Sequence, residues 1–265
     1  MAAVSRFFEN IGRHTAQSLD EIGYGASLLG EALFWLLMGR RYRQPVRVQA
    51  TMLSMLAFGV SALPIATLLS GTIGLMLAIQ SLYSLGIFGA ESFAYIGIAF
   101  GVVREFSPMI MGILIAGRSG SAIAARLATM TINQEIDALQ VIGINPVRFL
   151  VAPVLLALIV TVPCLAMWAN LVSIVCAGLY VSSSLGTSFG AYINDTMDVL
   201  TTHDIWHGIG KSTLFGVLIG LVAAINGASV SGGAEGVGQV TTRSVVQSIT
   251  LIVVADMIFA YVSTH

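Results

Sequence analysis

Four charged side chains lie within long apolar stretches of this sequence, where ionised groups are unfavourable. They are Arg104, Glu105, Lys211 and Asp256. At the centre of a bilayer each costs about 2.5 to 3.5 kcal/mol, so four unpaired charges would cost on the order of 10 kcal/mol. Their formal charges sum to zero, which allows two compensating pairs. We expect them to face one another or a cavity, either as ion pairs that lock the helices or as a polar patch for a charged or zwitterionic headgroup.

Other stretches look like catalytic or binding motifs but lack the required context. Lys211 lies in GIGKST, yet a phosphate-binding loop needs a glycine five positions before Gly210, where Ile205 stands. The stretch GGAEGVG has no βαβ unit around it and is better explained as a flexible turn. His203 and His207 could share a helix face, but two ligands do not make a metal site. We therefore predict no catalytic residue, no metal and no cofactor bound directly by this chain.

The composition is that of a membrane protein. Of the 265 residues, 56% are hydrophobic and 9% are charged, whereas soluble domains carry about 25% charged residues. A net charge of -1 without a basic tract predicts no binding to nucleic acid. Cys164 and Cys176 lie in one apolar stretch, and we interpret them as small buried hydrophobic residues. The first 25 residues lack an apolar core, so no cleavable signal peptide is expected.

Five stretches are long enough to cross a membrane, since a spanning helix needs about 20 mostly apolar residues. Their approximate ranges are 50–80, 92–116, 148–178, 207–229 and 244–263. None shows the alternation of polar and apolar residues that is typical of a membrane β-barrel. The predicted fold class is therefore an all-α, polytopic membrane protein.

The positions of the arginines predict how the chain is oriented. Residues 1–50 hold six of them, and Arg118, Arg126 and Arg148 lie between the second and third predicted spans. The connection at about 179–206 carries only acidic charges. Because cytoplasmic loops are enriched in Lys and Arg, we expect a cytoplasmic N-terminus, a periplasmic loop at about 179–206 and a periplasmic C-terminus.

Two further helices are expected outside the spans. Residues 26–38 are apolar but too short to cross, which predicts an interfacial elbow helix; a sixth spanning helix is the alternative and would invert the topology. Between the second and third spans, apolar residues recur at helical spacing as far as Pro146. This pattern predicts an amphipathic cytoplasmic helix that either rests on headgroups or docks into a partner protein.

Small residues four positions apart favour close packing between helices. Three such pairs occur in the predicted spans: Gly97 with Gly101, Gly112 with Ala116, and Gly216 with Gly220. They indicate a tight bundle or a homodimer.

A long central segment resembles a known family. The runs VVREFSPMIMGILIAGRSGSAIAA (102–125) and INQEIDALQVIGINPVRFLVAP (132–153) resemble the signature region of MlaE/YrbE permeases, the membrane subunits of Mce-associated lipid ABC transporters. IGKS (209–212), TTRSVV (241–246) and the aspartate of VVADMIF (253–259) extend the resemblance over nearly the whole chain after residue 40.

The resemblance implies a transport subunit that is not itself an enzyme. It implies a homodimer of permease domains at residues 48–265, each preceded by an elbow region at 1–47. A separate cytoplasmic ABC ATPase would bind ATP and Mg. The further partners implied are a periplasmic Mce-domain protein of the MlaD type and a small cytoplasmic STAS-domain subunit. Phospholipid is the implied cargo, moved between the bacterial inner membrane and the periplasmic carrier to maintain outer-membrane lipid asymmetry.

The resemblance also assigns residues to sites. The family's cavity charges map onto Arg104, Glu105, Lys211 and Asp256, the set already chosen by its membrane cost. A coupling helix maps onto about 122–139, with the contacts to the ATPase at Arg126, Met130, Glu135, Asp137 and Leu139. The chain departs from the usual family residues on the predicted cytoplasmic face, which indicates a divergent paralogue. The departures are at Arg126, Thr131, Asn145 and Val154.

The residues alone leave two other functions open. Glu105 and Asp256 could be the proton sites of an ion-coupled secondary transporter, although five spans without an internal repeat argue against it. The buried charges could instead only hold together the helices of a non-transporting membrane scaffold. A stoichiometric ATPase partner would exclude the first alternative, and lipid bound in a central pocket would exclude the second.

Overall fold

The structure is a computed structural model that describes residues 23–39 and 46–264. The regular elements in these ranges are helices, with no strand among them, which confirms the all-α prediction. Five helical stretches, which we number as the first to the fifth span, are long and apolar enough to cross a membrane: Val48–Gly86, Glu91–Ile132, Val147–Leu185, Thr202–Ala228 and Gly233–Ser263. Part of the predicted orientation rests on arginines outside the described residues, namely Arg6, Arg13, Arg40, Arg41 and Arg43.

Most span ends lie beyond the predicted ranges. The predictions counted apolar residues, whereas helical hydrogen bonds continue through the polar residues at the ends. The second span differs most, because its helix continues to Ile132 instead of ending near residue 116. The connection predicted at about 179–206 is itself mostly helical: the third span ends at Leu185, and the fourth begins at Thr202 after a short intervening helix.

The predicted elbow segment forms helix α1, Gly23–Met38. Leu28 and Ala32 are buried against the bundle. The carboxylate of Glu31 accepts a hydrogen bond of 2.6 Å from the amide of Asn145, in the connection before the third span. These contacts hold the described part of the elbow helix against the bundle beside the start of the third span.

The first span contains a break near one third of its length. It consists of α2 (Val48–Phe58), a 3₁₀ turn (Val60–Ala62) and α3 (Leu63–Gly86). Pro64 lies in the first turn of α3. Because proline has no backbone N–H to donate to the preceding turn, it accounts for the interruption.

The second span is widened twice by π-helical segments. In order it contains α4 (Ala94–Phe100), a π segment (Gly101–Phe106), α5 (Ser107–Ile115), a second π segment (Ala116–Gly120) and α6 (Ser121–Ile132). Pro108 has no N–H for the carbonyl four residues earlier, which is that of Arg104. A π segment directly before a proline is the expected adjustment to this lost hydrogen bond, and such segments are frequent at functional sites.

The amphipathic helix predicted at about 122–139 is not a single helix. The structure breaks it at Gln134, whose φ of 59° is left-handed, and a separate helix α7 (Glu135–Val141) follows. The part before the break is α6, the end of the second span, with Ile123 and Leu127 buried in the core. The prediction of one continuous cytoplasmic helix was therefore wrong, because a left-handed glutamine leaves no glycine or proline signal in the sequence.

The second half of the chain forms four helices: α8 (Ala152–Leu185), α9 (Phe189–Val199), α10 (Thr202–Ala228) and α11 (Gly233–Thr264). Gly186 ends α8 with a φ of 67°, the left-handed conformation that glycine adopts readily. Ser188 caps α9 by accepting a hydrogen bond from the N–H of Ala191. Burial against α8 raises the pKa of Tyr192 to about 12.

Helix α10 lies at the centre of the bundle and packs on α5, α6, α8 and α11. A Cβ at Gly216 would lie 2.8 Å from the carbonyl oxygen of Leu158, and the side chain of Leu155 packs equally closely on Gly220. This predicted small-residue pair therefore forms a close contact, between α8 and α10. A Cβ at Gly97 would meet its nearest atom at 3.8 Å, an ordinary contact.

The cysteine prediction was wrong in part. Cys164 is exposed, and Cys176 is only partly buried. Cys164 lies toward the outside of the third span, whereas the sulfur of Cys176 packs on Gly71 of the first span.

Gly216→Ala should destabilise the bundle. The added methyl group pushes α10 away from the backbone of Leu158, and such overpacking costs about 1 to 3 kcal/mol, more than the gain in helix propensity of up to about 1 kcal/mol. Gly97→Ala is the matched control, since its methyl group has room. Thermal unfolding of the purified chain in detergent should show a lower midpoint for Gly216→Ala alone. Equal midpoints for both variants would contradict the close contact.

Candidate functional site

Three spans meet at a buried lysine. The side chain of Lys211 on α10 is completely buried. Its Nζ lies 2.6 Å from Oε2 of Glu105 in the second span and 3.0 Å from Oδ1 of Asp256 in the fifth. The ring of Phe259 lies beneath the ammonium, with its centroid 5.9 Å from Nζ. One ammonium is thus balanced by two carboxylates from two other spans.

A second ion pair lies beside this triad. Arg104 donates from Nε to Oδ1 of Asp204 at 2.5 Å, and a terminal guanidinium nitrogen contacts the same oxygen. The other carboxylate oxygen of Asp204 accepts hydrogen bonds from the backbone N–H and the hydroxyl of Thr201, each 2.8 Å long. Asp204 therefore caps the start of α10 and anchors Arg104 at the same time.

The helices bring these groups together for a simple geometric reason. Asp204 and Lys211 are seven residues apart, which is close to two turns, so they lie on one face of α10. Consecutive residues such as Arg104 and Glu105 point about 100° apart on a regular helix. Here they lie in the π segment Gly101–Phe106 and reach two successive positions on that face. The π segment is thus part of the site.

Four of the five charged residues were predicted from the sequence, and Asp204 was missed. It was assigned to the connection at about 179–206 because the apolar run begins near residue 207. The spacing Thr201-x-x-Asp204 of a capping box was the available signal. The zero sum of formal charges allowed two pairs among the four, but the structure joins three of them in a triad and pairs the fourth with Asp204.

The members of the cluster differ in exposure. Lys211 and Asp204 have no exposed side-chain surface, and the side chain of Asp256 is 16% exposed. Arg104 and Glu105 are 40% and 39% exposed in the single chain. Two positive and three negative groups give the cluster a formal charge of -1. One cation and one anion, adjacent in the sequence, thus form its accessible surface.

His207 lies between the two ion-pair groups on α10. Its imidazole packs edge-on against Phe259, with ring centroids 4.8 Å apart. Both ring nitrogens are buried and have no hydrogen-bond partner in the part of the chain that the structure describes. The neighbouring His203 is exposed. Among the described residues no three His, Cys, Asp or Glu side chains are grouped as a metal would require.

The residues predicted to contact an ATPase fall into three settings. Glu135 and Asp137 are exposed in the first turn of α7. Met130 and Leu139 are partly buried against the hydrophobic core and hold this segment on the bundle. Arg126 lies on α6 and lines a separate cavity. The exposed charged residues of α7 are therefore its two acidic residues, beside the exposed amide of Gln140.

The charged cluster and α7 lie toward opposite ends of the bundle. Lys211 is about 14 Å along α10 from its start at Thr202, at 1.5 Å per residue. Helix α7 joins the second and third spans at the end where α10 stops, at Ala228. Five apolar spans around a polar cluster define a polytopic membrane protein.

Comparison with known proteins identifies the family. Residues 51–262 match the family described as Permease MlaE. A probable ABC transporter permease protein of Rickettsia typhi is 30% identical over 246 residues, 93% of each chain. A probable ABC transporter permease protein of Synechocystis sp. is 29% identical over 235 residues, 88% of this chain and 87% of that one. The protein TRIGALACTOSYLDIACYLGLYCEROL 1, chloroplastic, of Arabidopsis thaliana is 31% identical over 202 residues, 76% of this chain and 58% of the relative.

The chain therefore belongs to the MlaE permease family, as the resemblance implied. It is a multi-pass membrane protein and a permease subunit.

Lys211→Met should destabilise the protein by leaving two carboxylates close together without a cation. We expect a loss on the order of 3 kcal/mol, the lower end for breaking a buried ion pair, because Glu105 is partly exposed. The triple variant Lys211→Met, Glu105→Gln, Asp256→Asn leaves no charge uncompensated and should recover most of the loss. Thermal unfolding followed by tryptophan fluorescence measures both. Equally unstable single and triple variants would show that charge pairing is not the cause.

Proposed function

We propose that this permease subunit carries phospholipid through a cavity lined by Arg104 and Glu105, driven by a separate ABC ATPase. The observation that carries the proposal is the exposure of these two side chains. Ionised groups facing hydrocarbon cost several kcal/mol each, so an exposed pair within a span needs a polar environment. A headgroup and water in a central cavity supply it.

A zwitterionic headgroup fits the accessible charges. The guanidinium of Arg104 suits a phosphate, which it can bind with two parallel hydrogen bonds. The carboxylate of Glu105 suits an ammonium group. Because the whole cluster has a formal charge of -1, a headgroup with both signs is favoured over a purely anionic one. Lys211, Asp204 and Asp256 act here as positioning residues that fix the two accessible side chains.

The relatives support the lipid cargo and the ATPase. Those from Rickettsia typhi and Synechocystis sp. are named probable ABC transporter permeases, and ABC transporters derive their energy from an ATPase subunit that binds ATP and Mg. The Arabidopsis relative carries the name of a glycolipid, trigalactosyldiacylglycerol. We assign the ATPase contact to Glu135 and Asp137 on α7, whose side chains are exposed.

A second copy of the chain encloses the cavity in this proposal. The half-exposed Arg104 and Glu105 would otherwise face lipid tails. The further partners are a periplasmic Mce-domain carrier at the end near Thr202 and a small STAS-domain subunit on the cytoplasmic side. We place the protein in the bacterial inner membrane, with α7 in the cytoplasm and the C-terminus in the periplasm, which is the orientation that the arginines favour.

Arg104→Ala should reduce phospholipid transport by about tenfold or more. Removing a hydrogen bond between a charged donor and a phosphate costs about 1.5 to 3 kcal/mol. The measurement is transfer of a labelled zwitterionic phospholipid by the intact complex in proteoliposomes, with membrane insertion and thermal unfolding measured in parallel. The control is Arg243→Ala, which removes an exposed arginine nearer the start of α11 than Asp256. This variant should leave transport unchanged. Normal transport by Arg104→Ala would exclude the cavity role.

Glu135→Lys with Asp137→Lys should abolish binding of the ATPase. Both side chains are exposed, so the charge reversal changes the surface of α7 without disturbing the core. The matched control is Asp195→Lys with Asp198→Lys, which reverses two exposed acidic residues on α9 at the opposite end of the bundle. Co-purification from cells that express the neighbouring subunits reports the binding. Complete absence of a stoichiometric ATPase from the unaltered complex would favour the ion-coupled alternative.

A further inference from the structure

A cavity lies at the α7 end of the bundle, away from the charged cluster. It has a volume of about 520 Å³ and opens between α2, α6 and the beginning of the third span. Its floor is mainly apolar and includes Leu53, Ala57 and Leu127. Two arginines, Arg47 and Arg126, complete the lining. We call this space the arginine groove.

The charges of the arginine groove have one sign. None of its lining residues is acidic. The guanidinium of Arg47 lies over the ring of Phe149, 4.8 Å from its centroid, a contact that brings no negative formal charge to the arginine. Arg126 is exposed, and neither arginine forms an ion pair with any residue in 23–39 or 46–264. An apolar slot with two arginines and no acidic side chain among its described lining residues therefore opens at the side of the bundle.

The position of the groove favours an acidic phospholipid as its ligand. It lies between spans near the expected cytoplasmic surface, where acidic lipids create a negative potential that attracts arginines. Apolar walls accept an acyl chain, and planar guanidinium groups bind phosphate oxygens in pairs. A protein segment would have to bring acidic side chains into the same slot, whereas an acidic phospholipid presents both features in one molecule.

We propose that the arginine groove binds one acidic phospholipid, with its phosphate between Arg47 and Arg126 and an acyl chain along Leu53 and Ala57. This site is separate from the cavity of Arg104 and Glu105, where the accessible charges have both signs. The two sites therefore have opposite headgroup preferences. The proposal does not depend on the assignment of the cargo.

Native mass spectrometry of the full-length chain in detergent tests the proposal. We expect dioleoyl phosphatidylglycerol to be retained at least tenfold better than dioleoyl phosphatidylcholine. The variant Arg47→Gln with Arg126→Gln should bring the two lipids to equal retention. Inorganic phosphate and glycerol 3-phosphate should not compete, because they lack the acyl chain. An unchanged preference in the double variant, or displacement by either soluble phosphate, would overturn the proposal.

Three further variants test whether the acidic lipid occupies the groove itself. Ala57→Trp fills the slot and should lose the preference, whereas Leu56→Trp, on the neighbouring residue outside the lining, should keep it. Arg104→Ala should also keep the preference for the acidic lipid, because Arg104 lies outside the groove. The test of the groove is therefore independent of whether Arg104 binds the cargo. Loss of the preference in Arg104→Ala would place the acidic lipid in the cargo cavity. Co-purification with the ATPase is measured for Arg47→Gln with Arg126→Gln as well. If this variant keeps the lipid preference but no longer binds the ATPase, the groove is a protein contact and the proposal fails.

Discussion

The buried ammonium of Lys211 is the constraint on which the rest of the structure depends. It has no contact with solvent, so its charge must be balanced by groups within the bundle. Glu105 and Asp256 do this from two different spans. The lysine belongs to α10, so the second and fifth spans must each turn their carboxylate toward that helix. The ion pairs thus determine which face of each span contacts α10. Close packing at Gly216 then holds the third span on another face of the same helix.

The same constraint explains an irregular helix in the second span. Arg104 and Glu105 are adjacent in the sequence, yet both must reach α10. The π segment before Pro108 widens the helix at that point. Asp204 completes the arrangement because its side chain satisfies the first turn of α10 and one charged neighbour together. Features that would weaken an ordinary helix thus contribute to the geometry of the polar cluster.

Sequence reasoning predicted the helical class, the five spans and four of the five charged residues, because a charge in hydrocarbon is expensive wherever the helices lie. It could not predict the pairing. A zero sum of formal charges is compatible with several arrangements, and Asp204 was hidden by an uncertain helix boundary. The break at Gln134 was also invisible, since a left-handed glutamine is set by its surroundings rather than by its own preference. The ends of helices and the partners of ion pairs depend on tertiary structure. The free-energy cost of a charge in hydrocarbon can be read from the local sequence alone.

The packing of α10 also relates the two ends of the bundle. Near its end, the carbonyl oxygen of Gly227 accepts a hydrogen bond of 3.2 Å from the hydroxyl of Thr131 on α6, and Leu127 packs directly on Gly227. Helix α7 begins after a single turn beyond α6. Lys211 lies on the same α10, nearer its start. One continuous helix, α10, thus connects the contact with α6 at Gly227 to the polar cluster at Lys211.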